Sequence, residues 1–297
     1  MRARCLMPAA GLGTRMRPVT LAVPKELLPI GTRPMLQWCI TEALEAGFQE
    51  LGVVVSGDKP ALVSYLREGT WREGLLPSLA ERAAAATVTT FLQEAPTGVV
   101  DAVLAARPWL EEEAFAVFLP DNVRIAGDPP LTAAHVADAE QRDVVLGACH
   151  RVGPETRHFF MDVGRIELDE RAPAGAGSRV RDIQSRGGGG FFRAPPEGGW
   201  RLLPRMTVTR PWLEAARRVS AEAALTGLES DDVQVHLRLV EEGALRALPW
   251  RGTIADTGNP AGYLWAAHLL HEAGARDRDV RDQGAAPADL LSIDGTD

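Results

Sequence analysis

Apolar positions in the first half of the chain switch repeatedly between two periods, and each switch marks an element. Arg2–Met7 is strand-like, with Cys5–Met7 its apolar end. Met35–Ala46 has apolar residues at helical spacing and stops at Gly47, a residue type that commonly ends helices. Leu51–Val55 is a β-branched run that predicts a strand, and Pro60–Arg67 reads as a helix. Thr87–Leu92 (strand), Val99–Arg107 (helix), Phe115–Leu119 (buried strand), Leu131–Glu140 (helix) and Val144–Ala148 (strand) continue the alternation. Repeated β-then-α units predict an α/β fold with a mostly parallel sheet covered on both faces. Ligands of such sheets bind beyond the carboxyl ends of the strands.

The second half is less regular. Val163–Leu168 and Arg179–Gln184 predict strands joined by a Pro/Gly/Ala loop. Gly187–Gly190 is a glycine run, and Pro195–Gly199 is another turn. Pro211–Arg218, Asp231–Glu242 and Pro260–Glu272 read as helices. Ala273–Asp297 is charged and poor in large apolar residues, which predicts a weakly ordered tail with Leu290–Ile293 as its docking stretch. No internal repeat is visible. A length of 297 residues suits one large α/β domain or two small ones.

Composition narrows the function classes. No apolar run reaches the ~18 residues of a membrane span. The opening strand leaves no signal peptide to be expected. Cys5, Cys39 and Cys149 are scattered and fit neither a metal spacing nor a disulfide framework, so a reducing cytoplasm is expected. A formal charge of −8 argues against general nucleic-acid binding. It leaves room for a small phosphorylated ligand, which needs only local positive charge. Lys25 and Lys59 are the only lysines. GC-rich coding would favour arginine; a surviving lysine is then accidental or occupies a site that needs a compact ammonium.

The chemistry concentrates after the first strand, where the chain reads MPAAGLGTRMRPVTLAVPKELLPIG. Gly11 and Gly13 allow close backbone approach and positive φ. Exposed N–H groups in such a turn form an anion nest, and Arg15 adds a planar charge suited to phosphate oxygens. A dinucleotide fingerprint would place a third glycine at Met16 and start a helix at once, which Pro18 and Pro24 oppose. A P-loop would end in Gly-Lys-Ser/Thr, which is absent. An ordinary tight turn is the remaining alternative; Thr14, Arg15 and the Pro-Lys-Glu segment weigh against it.

GLGTRMRPVT…PKELLPIG resembles the opening motif of the sugar-1-phosphate nucleotidyltransferases, nearest to the bacterial UTP–glucose-1-phosphate uridylyltransferases and glucose-1-phosphate thymidylyltransferases. The likeness runs from about Arg4 to Ala267, strong to Asn122, weak in the middle and recovering near Asp256. It implies a Rossmann-like, mixed and mostly parallel sheet flanked by helices. It also implies one domain over 1–272, with a nucleotide half at 1–150 and a sugar-phosphate half at 151–272. Ala10, Gly11, Gly13 and Thr14 would hold base and triphosphate, and Arg15 and Lys25 would be the catalytic cations. A solvated surface lysine is the alternative for Lys25. In FLQEAPTGVVDA, Gln93 would read the base edge with Gly98 packed beside it; an amide can both donate and accept, so it suits the imide edge of uracil or thymine. FAVFLPDNV delivers Asp121 at a strand end, and GTIADTGNP places Asp256 before a helix with Asn259 as an N-cap. By resemblance the two aspartates hold Mg²⁺. Either one alone would more often be a turn or cap residue.

The implied reaction needs no general base, because the sugar phosphate is already an anion. Its oxygen attacks the α-phosphorus of a nucleoside triphosphate, UTP or dTTP, and pyrophosphate leaves; positioning and charge stabilisation do the work. The partners implied are the triphosphate and a sugar 1-phosphate, most simply glucose 1-phosphate, and the resemblance implies a homo-oligomer. The sugar half departs from the family. RHFFMDVGRIEL has Phe159–Phe160 where the family has Tyr-Gly, and IQSRGGGG offers Ser185, Arg186 and Gly187 in place of Glu-Lys-Pro. Arg186 keeps the phosphate-binding charge. LESDDVQ resembles the family's acidic stretch before a helix, which implies Asp231 and Asp232 near the sugar, with helix capping by Asp231 or Ser230 as the alternative. These changes leave three readings: glucose 1-phosphate as acceptor, an unusual sugar phosphate, or a nucleotide-sugar-binding regulatory relative. The full set Arg15, Lys25, Asp121 and Asp256 argues against the last.

Overall fold

The computed structural model describes residues 3–106, 109, 113–153, 165–169, 177–184 and 198–272. Phe159, Phe160, Arg186 and the segment 185–190 lie outside them, as does the expected tail.

Four strands carry the first half: β1 (Arg4–Pro8), β4 (Glu50–Ser56), β5 (Thr87–Gln93) and β6 (Phe115–Phe118). They lie parallel in the order β5-β4-β1-β6. The sheet continues through β11 (Trp200–Val208), β8 (Val145–Arg151), β12 (Leu245–Pro249), β10 (Ser178–Gln184) and β9 (Arg165–Leu168). Strands β5, β4, β1, β6, β8, β12 and β9 share one direction, and β10 and β11 oppose it. The expected boundary at residue 150 falls inside β8. Strand β11 joins the two halves, because it pairs with β6 on one side and β8 on the other.

Alternation along the strands sorts side chains between two cores, as the period of two requires. Cys5 and Met7 of β1, Leu51, Val53 and Val55 of β4 and Phe118 of β6 face one way, against helices α1 (Met35–Glu45) and α2 (Pro60–Arg67). Leu6, Val54, Phe115 and Val117 face the other way, against α4 (Val99–Leu104), α6 (Arg210–Thr226) and α7 (Asp232–Glu241). Helices α3 (Ala80–Ala85), α5 (Ala133–Gln141) and α8 (Pro260–Glu272) complete the described set. Two small antiparallel pairs stand outside the main sheet: the hairpin of β2 (Pro29–Ile30) with β3 (Arg33–Pro34), and the ribbon of the sequence-distant strands β7 (Asn122–Ala126) and β13 (Thr253–Asp256). No helix among the described residues is long and apolar enough to cross a membrane.

The predicted elements of the first half coincide with these to within a few residues. Helix α6 runs eight residues past the expected Arg218, to Thr226, where Gly227 turns left-handed and stops it. Strand β11 was not legible as a strand. Pro204 interrupts its apolar pattern, and the pairing with β8 shifts register between Leu202 and Met206, the kind of irregularity at which a sheet accepts proline.

Candidate active site

Chain order reverses beside β1: β4 and β5 follow on one flank and β6 on the other. Such a switch point opens a crevice at the carboxyl ends of the strands. Three expected segments meet there: the glycine-rich loop after β1, Gln93 at the end of β5 and Asp121 after β6; Lys59, after β4, joins them unannounced.

The loop does not start a helix. It passes Gly13 in the left-handed region at φ 65° and makes three short 3₁₀ turns, ending with Lys25–Leu27. Thr20 Oγ1 and the Met16 amide donate to the Gly13 carbonyl, both at 2.9 Å. Ala10 is buried, whereas Gly11, Thr14 and Arg15 are exposed, as a ligand-facing loop requires.

Lys25 is not a solvated surface lysine. Its Nζ lies 2.6 Å from Asp121 Oδ2, with both side chains largely buried. Burial disfavours its charge, but Asp121 and Glu26 outweigh that and raise its pKa. Burial likewise opposes the Asp121 charge; Lys25 and then Arg15 overcome it and hold the carboxyl at about 2.

The second aspartate arrives through the antiparallel β7–β13 pair, whose register sets Asp256 opposite Asn122, the neighbour of Asp121. The Thr257 amide and hydroxyl both donate to the Asp121 carbonyl, at 2.8 and 2.9 Å. Asp256 is pushed up to about 6 by burial and by the Asp121 charge, against the pull of Arg15. A β-carbon placed on Gly258 would meet Asp121 Oδ2 at 2.9 Å, Arg15 Nη2 at 3.0 Å and Asp256 Oδ1 at 3.2 Å. The structure thus brings Arg15, Lys25, Asp121 and Asp256 to one point beneath the glycine-rich loop. Asn259 accepts from the Gly262 amide at 2.9 Å, the expected capping of α8.

Two cations and two carboxylates converge at the mouth of a parallel sheet, a charge set suited to phosphate chemistry. The sequence matches the nucleotidyl transferase family over residues 6–183. This chain belongs to that family. It is 35% identical over 293 residues to the UTP–glucose-1-phosphate uridylyltransferase of Bacillus subtilis, covering 94% of each chain. It is 28% identical over 283 residues to that of Pseudomonas aeruginosa, covering 91% of this chain and 96% of the relative. Its fold superposes on a UDP-glucose pyrophosphorylase solved with UDP-glucose at a TM-score of 0.71 and 22% identity, over 92% of this chain and all of the other. The UTP-bound enzyme of Acinetobacter baumannii gives a TM-score of 0.66 at 21% identity, over 95% of this chain and 98% of that one.

At the far end of this transferase's crevice, Gln93 Nε2 donates to the Gly98 carbonyl at 3.0 Å. Gly98 stands at φ 116° against the backbone of Ser230. Ser230 in turn donates through its amide to the Thr97 carbonyl at 2.7 Å and through Oγ at 2.9 Å. The start of α7 is therefore docked on the Gln93–Gly98 segment. Asp231 caps that helix by accepting from the Val233 amide at 3.0 Å, so its capping alternative is realised, and Asp232 is the first helical residue.

Two arrangements were not legible in the sequence. Buried Lys59 donates to the carbonyls of Ala9 and Gly11 at 2.7 and 2.6 Å and pairs with Glu26 at 2.9 Å. Its rarity in the chain was the available signal, shared with Lys25. Buried Arg205 of β11 forms a two-pronged pair with Glu42 of α1, at 2.8 and 2.9 Å, and donates to the carbonyls of Leu119 and Asn122 on either side of Asp121. A carboxylate inside α1 carried no mark of a partner 163 residues away.

Proposed function

We propose that this chain transfers the uridylyl group of UTP to glucose 1-phosphate, giving UDP-glucose and pyrophosphate. The observation that carries the reading is the convergence of Arg15, Lys25, Asp121 and Asp256 beneath the glycine-rich loop. The names of the full-length relatives supply the substrate pair.

An oxygen of the sugar phosphate attacks the α-phosphorus of UTP; the bond to the β-phosphate oxygen breaks as the new one forms. Arg15 and Lys25 stabilise charge on the phosphates and on the departing pyrophosphate. Gln93 and Gly98 take the base end. By the resemblance Arg186 and Asp232 would take the sugar-phosphate end, while Asp231 caps the helix that carries Asp232. Asp121 and Asp256 fit Mg²⁺, which usually takes one or two carboxylates and completes its shell with substrate phosphates and water. Burial first, and then the Asp121 charge, disfavour the Asp256 carboxylate, and a divalent cation held between the two aspartates would offset both. When bound, the ion would neutralise phosphate oxygens.

Pyrophosphate release over a matrix of nucleoside triphosphates and sugar 1-phosphates, with Mg²⁺, tests the reading. The expected maximum is UTP with glucose 1-phosphate. Nucleotide binding without release for any pair would overturn it in favour of a regulatory relative. The substituted segments at Phe159–Phe160 and Ser185–Gly187 support a second reading, the same chemistry on another sugar phosphate, and a maximum elsewhere in the sugar series would select it. Asp121→Ala should keep the fold and lose about 3 kcal/mol of transition-state stabilisation, the scale of a deleted charge-stabilising donor. Unchanged turnover in that variant would remove Asp121 from the site.

A further inference from the structure

The chain keeps two lysines, and only Lys25 stands among the four charges of the site. Lys59 lies just before α2, where Pro60 occupies the first helical turn and fixes the helix start. An ammonium has three N–H donors. The acceptors around Lys59 Nζ are three: the Ala9 carbonyl at 2.7 Å, the Gly11 carbonyl at 2.6 Å and Glu26 Oε2 at 2.9 Å. Lys59 and Glu26 are both buried. The ammonium is thereby used up within the protein.

Its effect on the loop follows from peptide geometry. In a planar trans peptide the carbonyl of one residue and the N–H of the next point in opposite directions. Drawing the carbonyls of Ala9 and Gly11 to one buried point turns the N–H groups of Ala10 and Leu12 away from it. Backbone N–H groups turned outward together from a tight loop are donors for an anion, as in other turn-built anion sites. We propose that Lys59 is the positioning residue of the glycine-rich loop: it holds two carbonyls inward so that the Ala10 and Leu12 amides face the triphosphate. The same ammonium ties that loop to Glu26, next to Lys25, and so couples the backbone donors to the catalytic cation. This inference rests on the nucleotide-binding reading given above.

The test measures affinity along the series uridine, UMP, UTP by calorimetry, which reports on the phosphates separately from the base. Lys59→Met alone strands Glu26 in the interior and is prone to unfold; the double variant K59M/E26M replaces the buried pair with apolar side chains of similar reach, an exchange that is often neutral for stability. Glu26→Gln keeps both carbonyl bonds and removes only the ion pair. In the double variant the gain in affinity from uridine to UTP should collapse, uridine itself should bind as before, and kcat/KM for UTP should fall on the order of 10²-fold, the scale of an ångström-sized misplacement. Glu26→Gln should retain most of the gain. A folded double variant that keeps the full uridine-to-UTP gain overturns the proposal, as does an equal loss in Glu26→Gln. Failure of the unsubstituted chain to bind UTP overturns the nucleotide reading instead.

Discussion

Gly98 is held at φ 116°, and a β-carbon there would lie 2.3 Å from the Ser230 carbonyl oxygen and 2.7 Å from its amide. Both obstacles are backbone, so neither can swing aside. Gly98→Ala should therefore cost about 1–3 kcal/mol of backbone strain and further free energy to part α7 from the Thr97 segment. A fall in Tm of the ligand-free protein checks this; an unchanged Tm would show that the close approach is not maintained in solution. The sequence pointed to Gly98 through its family position beside Gln93, but its steric partner is Ser230, 132 residues on, and no local pattern announces that contact. The same distinction separates the two lysines. Lys25 sits in a motif and was legible through it. Lys59 works through Ala9, Gly11 and Glu26, all distant in sequence, and its neighbours carry no sign of the task.

Elements with local periodicity were legible, and those made by distant partners were not. Helices α1, α2 and α8 and strands β4 and β5 follow from runs of their own residues. Strand β11 carries Arg201 and Arg205, both fully buried, at positions that read as solvent-facing in isolation. Arg205 satisfies its charge on α1, through Glu42, and donates further to the Leu119 and Asn122 carbonyls around Asp121 and to the Pro204 carbonyl beside it. The pair is thus a clamp between a helix, a strand and the loop that presents a site carboxylate. Arg205→Met leaves the buried Glu42 with only Arg124, 3.9 Å away, and should lower stability by about 3 kcal/mol. The double variant Arg205→Met/Glu42→Leu should recover much of that stability in urea titration. Its turnover should stay depressed, because the Leu119 and Asn122 carbonyls are no longer held. Full recovery of both stability and turnover would reduce the pair to a dispensable core contact.

The sheet makes the molecule one mechanical unit although the sequence divides it by texture at residue 150. Strand β6 meets β1 on one side and β11 on the other; β8 lies between β11 and β12. A fragment of residues 1–150 would leave β6 with one neighbour and β8 with none of its described partners. It would also separate β7 from β13 and Asp121 from Thr257. Unpaired edges of apolar strands invite association rather than a stable fold. The fragment should therefore show no cooperative urea transition and should aggregate. The whole chain should unfold in one transition, because neither half completes its sheet alone. Tryptophans report on both sides, with Trp38, Trp71 and Trp109 in the first half and Trp200, Trp212, Trp250 and Trp265 in the second. Far-UV circular dichroism and tryptophan fluorescence should then give coincident midpoints. Two resolved transitions, or a soluble and cooperatively folded 1–150 fragment, would show that β11 joins two independent units. In that case the Asp121–Asp256 pair would be an interface between modules, and substrate binding would have to assemble it.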